Sequence, residues 1–212
     1  MIARQLHIQC LLHSWKPIFR YSVFILLLMS CSESLVKPTS KEQQLWEKNQ
    51  QQLHSLNKWQ ANGRVAVYND QENWLIKVRW HQTLDNYQLY FSSPSGQSVA
   101  KLVGMPQHVE MFTAENQHYV AHHPDDLVEQ TFNIHLPVTG LGFWIRGIPS
   151  PDIPVSNYYL NEKGYLTQLE QAGWTINFQT YAQTANWFLP QKLLLSNPHY
   201  RVKIIISDWY IS

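Results

Sequence analysis

The sequence predicts a mainly β protein, a single curved antiparallel sheet of about eleven strands that curls into a barrel or half-barrel, with short α-helices against it. Three observations predict it. Short runs of alternating apolar and polar residues recur from Gly63 to Trp209. Turn residues separate them at close intervals. No stretch shows the strand–helix–strand alternation of a parallel α/β enzyme.

Composition bounds the rest. A chain of 212 residues suits one domain with a sizeable core. Its 16 Lys and Arg nearly balance 15 Asp and Glu, so no basic footprint for nucleic acid is present and no nucleic-acid partner is expected. Nine tryptophans mark cores, interfaces or apolar binding surfaces.

Arg4, Lys16 and Arg20 precede an apolar segment, Tyr21 to Met29. It is far shorter than the roughly 20 residues a spanning helix needs, and it suits a secretory signal. The segment runs into Leu28-Met29-Ser30-Cys31, which resembles the bacterial lipobox that directs acylation of the cysteine and cleavage before it. Residues 1–30 are therefore expected to be a signal peptide, 31–40 a lipidated tether, and 41–212 the folded body. Cys10 would leave with the signal, so Cys31 would have no disulfide partner in an oxidising compartment, and acylation accounts for it. Several acyl chains, at about 0.8 kcal/mol per buried CH₂, make a stable anchor. Ser32 stands where an Asp would resemble the inner-membrane retention signal, which favours the outer membrane.

The body opens on a helix. Ser40-Lys41-Glu42-Gln43 reads as a capping box, and Leu45, Trp46, Leu53 and Leu56 supply an apolar stripe that fades near Asn57. Strands follow at Gly63–Tyr68, Trp74–Trp80, Tyr87–Phe91, Ser98–Val103, His108–Thr113 and Gln117–Ala121. Later ones are Asn157–Leu160, Tyr165–Glu170, Trp174–Thr180, Lys192–Ser196 and Arg201–Trp209. The hairpin from Asn73 to Gln97 has the clearest pattern: Trp74, Ile76, Val78 and Trp80 share one face, and Leu75, Lys77 and Arg79 the other. Tyr87, Leu89 and Phe91 continue the apolar face after a turn.

Midway the period changes. Pro124-Asp125-Asp126 starts a helix, with the acids placed to complement its dipole, and Leu127, Val128, Thr131 and Phe132 form its covered face. Leu136-Pro137-Val138 breaks it, and Leu141, Phe143, Trp144 and Ile145 make a second short segment ended by Gly147. Residues around 123–147 are expected to form a helical lid over the sheet.

No catalytic constellation is present. His118, His122 and His123 lie close together, but adjacent histidines lack the i, i+4 spacing of a zinc motif and read as a solvated turn. Neither a nucleophile elbow, a phosphate loop nor a Cys–His arrangement occurs. No enzyme, metal site or cofactor is expected.

An ordered set of motifs spans roughly Leu45 to Trp209. It includes Trp59 with Gly63-Arg64-Val65-Ala66-Val67, Trp80-His81-Gln82, Tyr87-Gln88-Leu89 and Ser93-Pro94-Ser95-Gly96. It continues through Leu136-Pro137-Val138, Leu141, Trp144-Ile145-Arg146-Gly147, Gly173-Trp174, Leu189-Pro190 and Asp208-Trp209. Behind a lipobox, this order resembles the outer-membrane lipoprotein receptor LolB family. The resemblance implies an eleven-stranded incomplete barrel covered by helices, in agreement with the strand count. It implies a lipid-anchored outer-membrane protein facing the periplasm. Such a protein accepts client lipoproteins from the soluble carrier LolA, holds their acyl chains in an apolar cleft, and inserts them into the membrane. A monomer is expected.

Alternation then assigns the cleft to Val65, Val67, Trp74, Ile76, Val78, Trp80, Tyr87, Leu89 and Phe91, with Trp174, Ile176, Phe178, Ile204 and Ile206 from later strands and Phe143 and Trp144 from the lid. The family pattern also implies an insertion loop at Pro94, Ser95 and Gly96, where an exposed Leu is usual and Ser95 stands here. Two other classes fit the residues: an envelope lipoprotein binding a small lipid or hydrophobic ligand without a carrier, and a structural lipoprotein whose apolar face is ordinary core.

Overall fold

The computed structural model describes residues 37–69 and 73–212. The expected signal peptide, Cys31 and most of the tether lie outside the described residues. Helix α1 (Ser40–His54) precedes six strands: β1 (Lys58–Tyr68), β2 (Asn73–Thr83), β3 (Asn86–Ser92), β4 (Ser98–Met105), β5 (His108–Thr113) and β6 (His118–Ala121). Helices α2 (Pro124–Phe132) and α3 (Val138–Trp144) follow. Five strands close the chain: β7 (Val155–Leu160), β8 (Leu166–Gln171), β9 (Trp174–Thr184), β10 (Trp187–Ser196) and β11 (Arg201–Ile211).

All eleven strands form one antiparallel sheet in the order β6-β5-β4-β3-β2-β1-β11-β10-β9-β8-β7. Two meanders are joined by the β1–β11 ladder, and the edges β6 and β7 remain apart. The sheet is curved but not closed, the incomplete barrel that the family resemblance implies. Register shifts at Asn62/Gly63, Phe91/Ser92 and Pro190/Lys192 bend it. At the first of these β1 runs so close to β11 that a β-carbon on Gly63 would stand 2.5 Å from the Ile205 carbonyl oxygen.

Strand ends extend past the sequence expectation. β1 begins at Lys58 because Trp59 pairs with both Ile211 and Gln82. β10 begins at Trp187 and tolerates Pro190 because the proline sits at a register shift, where a ladder N–H is not needed. The α1 cap also moves by one residue: Thr39, not Ser40, closes the box. Its Oγ1 accepts from Glu42 N (3.3 Å) and its own N–H donates to Glu42 Oε2 (2.7 Å).

The topology dictates what covers the sheet. β6 and β7 are opposite edges, so the chain between them must cross a face of the sheet once. Helices α2 and α3 make that crossing on the concave side, where the apolar parity faces. Asp125 Oδ1 accepts from both Thr139 N (3.1 Å) and Thr139 Oγ1 (3.2 Å), tying the start of α2 to the start of α3. At the other end of the sheet, α1 docks on the β7–β8 hairpin. Asn49 Nδ2 donates to the carbonyls of Lys163 and Gly164 at 2.9 Å each, and Trp46 packs against Tyr158.

Candidate functional site: an apolar cavity under the α2–α3 crossing

Between the concave face and the crossing lies a cavity of about 100 Å³. Its walls come from β1, β2, β3 and β11 on one side and from α2, α3 and their connection on the other. Ten of the sixteen residues assigned to a cleft by alternation line it: Val65, Val67, Trp74, Ile76, Val78, Trp80, Leu89, Phe91, Ile204 and Ile206. Each strand presents the parity read from its sequence, since the register pairs Val65 with Ile76 and Ile204, Val78 with Phe91, and Trp80 with Leu89.

The other six lie elsewhere. Trp174, Ile176 and Phe178 have the concave parity and are buried, but they belong to solid core rather than to the cavity wall. Trp144 is fully buried, with its indole N–H committed to Gln171 Oε1 at 2.8 Å. Phe143 points to a second, polar cleft, where the Arg146 guanidinium lies 4.9 Å from its ring centre. Tyr87 borders the same cleft beside Trp80, and burial followed by the charge of Asp125 pushes its phenol well above the usual range.

The roof was only half visible in the sequence. Val128, Phe132, Ile134, Leu136, Val138, Leu141 and Ile145 line the cavity from above. Val138, Leu141 and Ile145 follow the i, i+3, i+7 spacing of one helical face. Phe143 and Trp144 stand out by size, yet Phe143 falls two positions past Leu141 and turns to another cleft, while Trp144, three positions past it, is drawn away to Gln171. Phe132 is the roof's closest aromatic contact with the sheet, edge-on to Phe91 (5.4 Å) and Trp74 (6.2 Å). Ala61 and Gly63 were missed because the cavity uses their smallness rather than their apolar area.

A buried amide holds the far end of the crossing. Gln171, 1% exposed, accepts from Trp144 Nε1 (2.8 Å) and Ser150 N (2.9 Å) through Oε1 and donates through Nε2 to the carbonyls of Ser150 (2.9 Å) and Ile153 (2.6 Å). Both ends of the amide are satisfied, which makes it a cross-brace between β8 and the segment after α3. Packing there fills the concave half that holds Trp174, Ile176 and Phe178. Nearby, Arg146 donates from Nε to Gly142 O (2.9 Å) and from Nη1 to Leu56 O (3.2 Å). Burial lowers its pKa to about 10, which leaves it charged at neutral pH.

The Pro94-Ser95-Gly96 segment is the exposed tip of the β3–β4 connection. Ser93 N donates to Gln97 O (2.9 Å), and Gly96 N donates to Ser93 O (2.9 Å). The Ser93 and Ser95 hydroxyls lie 2.7 Å apart. The tip is closed on itself and presents hydroxyls. Of the clustered histidines, His118 pairs with Glu110 across β5 and β6 (3.0 Å), and His122 meets the Gln107 carbonyl (3.1 Å).

The family described as Outer membrane lipoprotein LolB matches residues 57–209. The chain belongs to the LolB family. The Outer-membrane lipoprotein LolB of Nitrosococcus oceani is 31% identical, over 82% of this chain and 87% of that protein. Its counterpart in Pseudomonas syringae pv. syringae is 34% identical, over 77% and 80%. Among solved structures, a LolA superfamily protein of Nitrosomonas europaea superposes with a TM-score of 0.52 at 10% identity, covering 82% of this chain and 94% of that one. That likeness shows a shared LolA-type fold. The LolB-family match runs from the α1–β1 junction to Trp209 in β11, so it covers the crossing, the cavity and nearly all of the sheet.

Proposed function

We propose that this LolB-family protein accepts the acyl chains of client lipoproteins in the concave cavity and passes them to the outer membrane, with a soluble periplasmic carrier of the LolA type as donor. The protein itself is an outer-membrane lipoprotein in this reading, anchored through acylated Cys31 and facing the periplasm. One observation supports it above others: the space between sheet and crossing is walled almost wholly by aliphatic and aromatic side chains. Such a wall recognises a hydrocarbon chain and nothing polar.

The cavity of about 100 Å³ is smaller than the roughly 300–1,000 Å³ of typical ligand sites. In this reading the fold is in a closed form, and an acyl chain enters by lifting α2 and α3 from the sheet. No covalent step is needed. Transfer runs downhill when this cavity binds the chain more tightly than the donor does, and about 1.4 kcal/mol of difference gives a tenfold bias. At roughly 25 cal/mol per Å², a modest gain in buried apolar area supplies that bias.

The test is a purified transfer assay in which the Cys31→Ala protein, free of its own acyl chains, is offered a labelled lipoprotein on its carrier. Label moving to this protein supports the reading, and label remaining on the carrier retires it. The small closed volume favours a second reading, a compact hydrophobic ligand bound with no carrier. Native mass spectrometry after gentle extraction separates the two, since that reading requires a bound small lipid and no carrier complex.

A further inference from the structure

The face opposite the cavity carries a charge distribution that the cavity does not require. Residues of the outward parity place Arg64 on β1, Lys77 and Arg79 on β2, Lys101 on β4, and Arg201 and Lys203 on β11. The register makes them neighbours. Lys77 pairs directly with Arg64, and that row continues through Ile205 to Lys192. Arg79 pairs with Tyr90 and Tyr90 with Lys101, so two cations flank one ring, at 4.8 and 5.3 Å from its centre.

Among the described residues, every ion pair is a His–Glu contact, so none of these cations meets a carboxylate. Strands β1, β2, β3, β4, β10 and β11 contain one acid in all, Asp208. The loop acids Asp70 and Glu72 lie outside the described residues. Without residues 1–30 the chain has 13 basic and 15 acidic residues, so composition gives no hint of this segregation. Like charges directly opposite on a ladder are unfavourable. An unneutralised Lys77–Arg64 pair is the pattern expected of a surface completed by an anion.

The face also has a concave point. Arg64, Lys77 and Arg79 line a depression of about 580 Å³ together with the hydroxyl residues Tyr90, Ser92 and Ser98, and Gly96 of the β3–β4 tip edges it. No carboxylate residue lines it. Three cations and several hydroxyls around one hollow match the tetrahedral, multiply accepting oxygens of a phosphate. On the same parity, Leu75 (50% exposed) and Tyr68 (40% exposed) project apolar surface beside the cations. Cationic and apolar groups mixed on one face are the combination that suits an anionic bilayer surface.

We propose that this outer face docks on anionic phospholipid, with the Arg64–Lys77–Arg79 hollow taking a lipid phosphate. The cations are the outward side chains of strands whose inward side chains wall the cavity, and the two hollows meet only at Asn62, Gly63, Arg64, Val78 and Phe91. The contact holds the body against the membrane and brings the β3–β4 tip to the lipid surface without an apolar side chain at Ser95.

The test uses the Cys31→Ala chain, so that its own acyl groups contribute nothing, in co-sedimentation with phosphatidylcholine vesicles with and without phosphatidylglycerol. Binding to the phosphatidylglycerol vesicles alone, weakened by added salt, is expected. The combined Arg64→Glu, Lys77→Glu and Arg79→Glu variant is expected to bind at least about tenfold more weakly. The corresponding triple Gln variant should fall in between, and circular dichroism melts of both confirm folding. Equal binding to both vesicle types, or binding unaffected by either variant, overturns the proposal. So does displacement by free glycerol phosphate without any preference for phosphatidylglycerol, which would make a soluble phosphate the ligand. Capture of an acidic protein through this face with no vesicle binding also overturns it. A cavity that takes no acyl chain leaves all of these outcomes unchanged, so the two readings fail separately.

Discussion

The ring of Tyr87 lies directly over Gly104, its cross-strand partner on β4, so closely that a β-carbon at position 104 would fall within the ring. The glycine is thus the seat of the aromatic, and the aromatic covers backbone that glycine leaves bare. Gly104→Val is expected to expel Tyr87 from its place beside Trp80 and to destabilise the fold by about 1–3 kcal/mol, the usual cost of overpacking. Chemical denaturation reads the loss. In Tyr87→Ala the same Gly104→Val change should cost much less, and an undiminished cost in that background would show that the ring is not what the valine meets.

Gln171→Leu keeps the volume of the buried amide and removes its four hydrogen bonds, leaving Trp144 Nε1 and the Ser150 and Ile153 backbone groups unpaired. A loss of about 3 kcal/mol or more is expected, since each orphaned buried group costs about 1–3 kcal/mol. Hydrogen exchange should quicken at Ser150 N while the β1–β2 ladder stays protected. Uniform quickening across the sheet would mean the brace is global rather than local.

Phe132→Ala removes the aromatic that α2 sets against Trp74 and Phe91. About 3 kcal/mol of stability should be lost. If the roof gates the cavity, a fluorescent hydrophobic probe should bind more tightly to the variant. Lower stability with unchanged probe binding would place the entrance elsewhere.

The Glu110 carboxyl is held below its ordinary value of 4.5, first by the hydrogen bonds of His108 and His118 to its two oxygens. A depressed carboxyl lends stability above its unfolded value and loses it as pH falls through the folded value. The gap in Tm between the wild type and Glu110→Gln should therefore be open above pH 4.5 and close on acidification. A gap that is constant with pH would assign the stabilisation to packing.

Ser95→Leu gives the β3–β4 connection an apolar tip. In the transfer assay it is expected to raise insertion into the membrane while leaving acceptance from the carrier unchanged. Equal insertion by both proteins would assign the contact to another surface, for which the basic outer face is the candidate.

How much of this was legible follows from period. The sheet was readable because each strand has one covered and one wet face, so a two-residue repeat gave both the element and its orientation for Val65, Ile76, Phe91 and Ile204. The roof was less so, because α3 spans only Val138–Trp144 and so short a helix offers little periodicity. Size then misled, since Trp144 and Phe143 are the largest residues there but serve as an anchor and as the wall of another cleft. Gln171 carried no signal at all: its role depends on Trp144, Ser150 and Ile153, partners brought together only by folding. The outer cations were visible singly in the hairpin pattern, but their clustering needed the β1–β11 register.

The α2–α3 crossing joins the two free edges of an open sheet, and it is not held equally at both. Gln171 rivets its far end to β8, whereas at the near end α2 starts at His123 without a side-chain cap. A strap buckled on one side opens like a visor. On the proposed reading it would swing from the Trp144 end and lift at Phe132, beside Trp74. The rivet would also limit that swing, so the amide that braces the crossing would set the girth of the largest guest the cavity can hold.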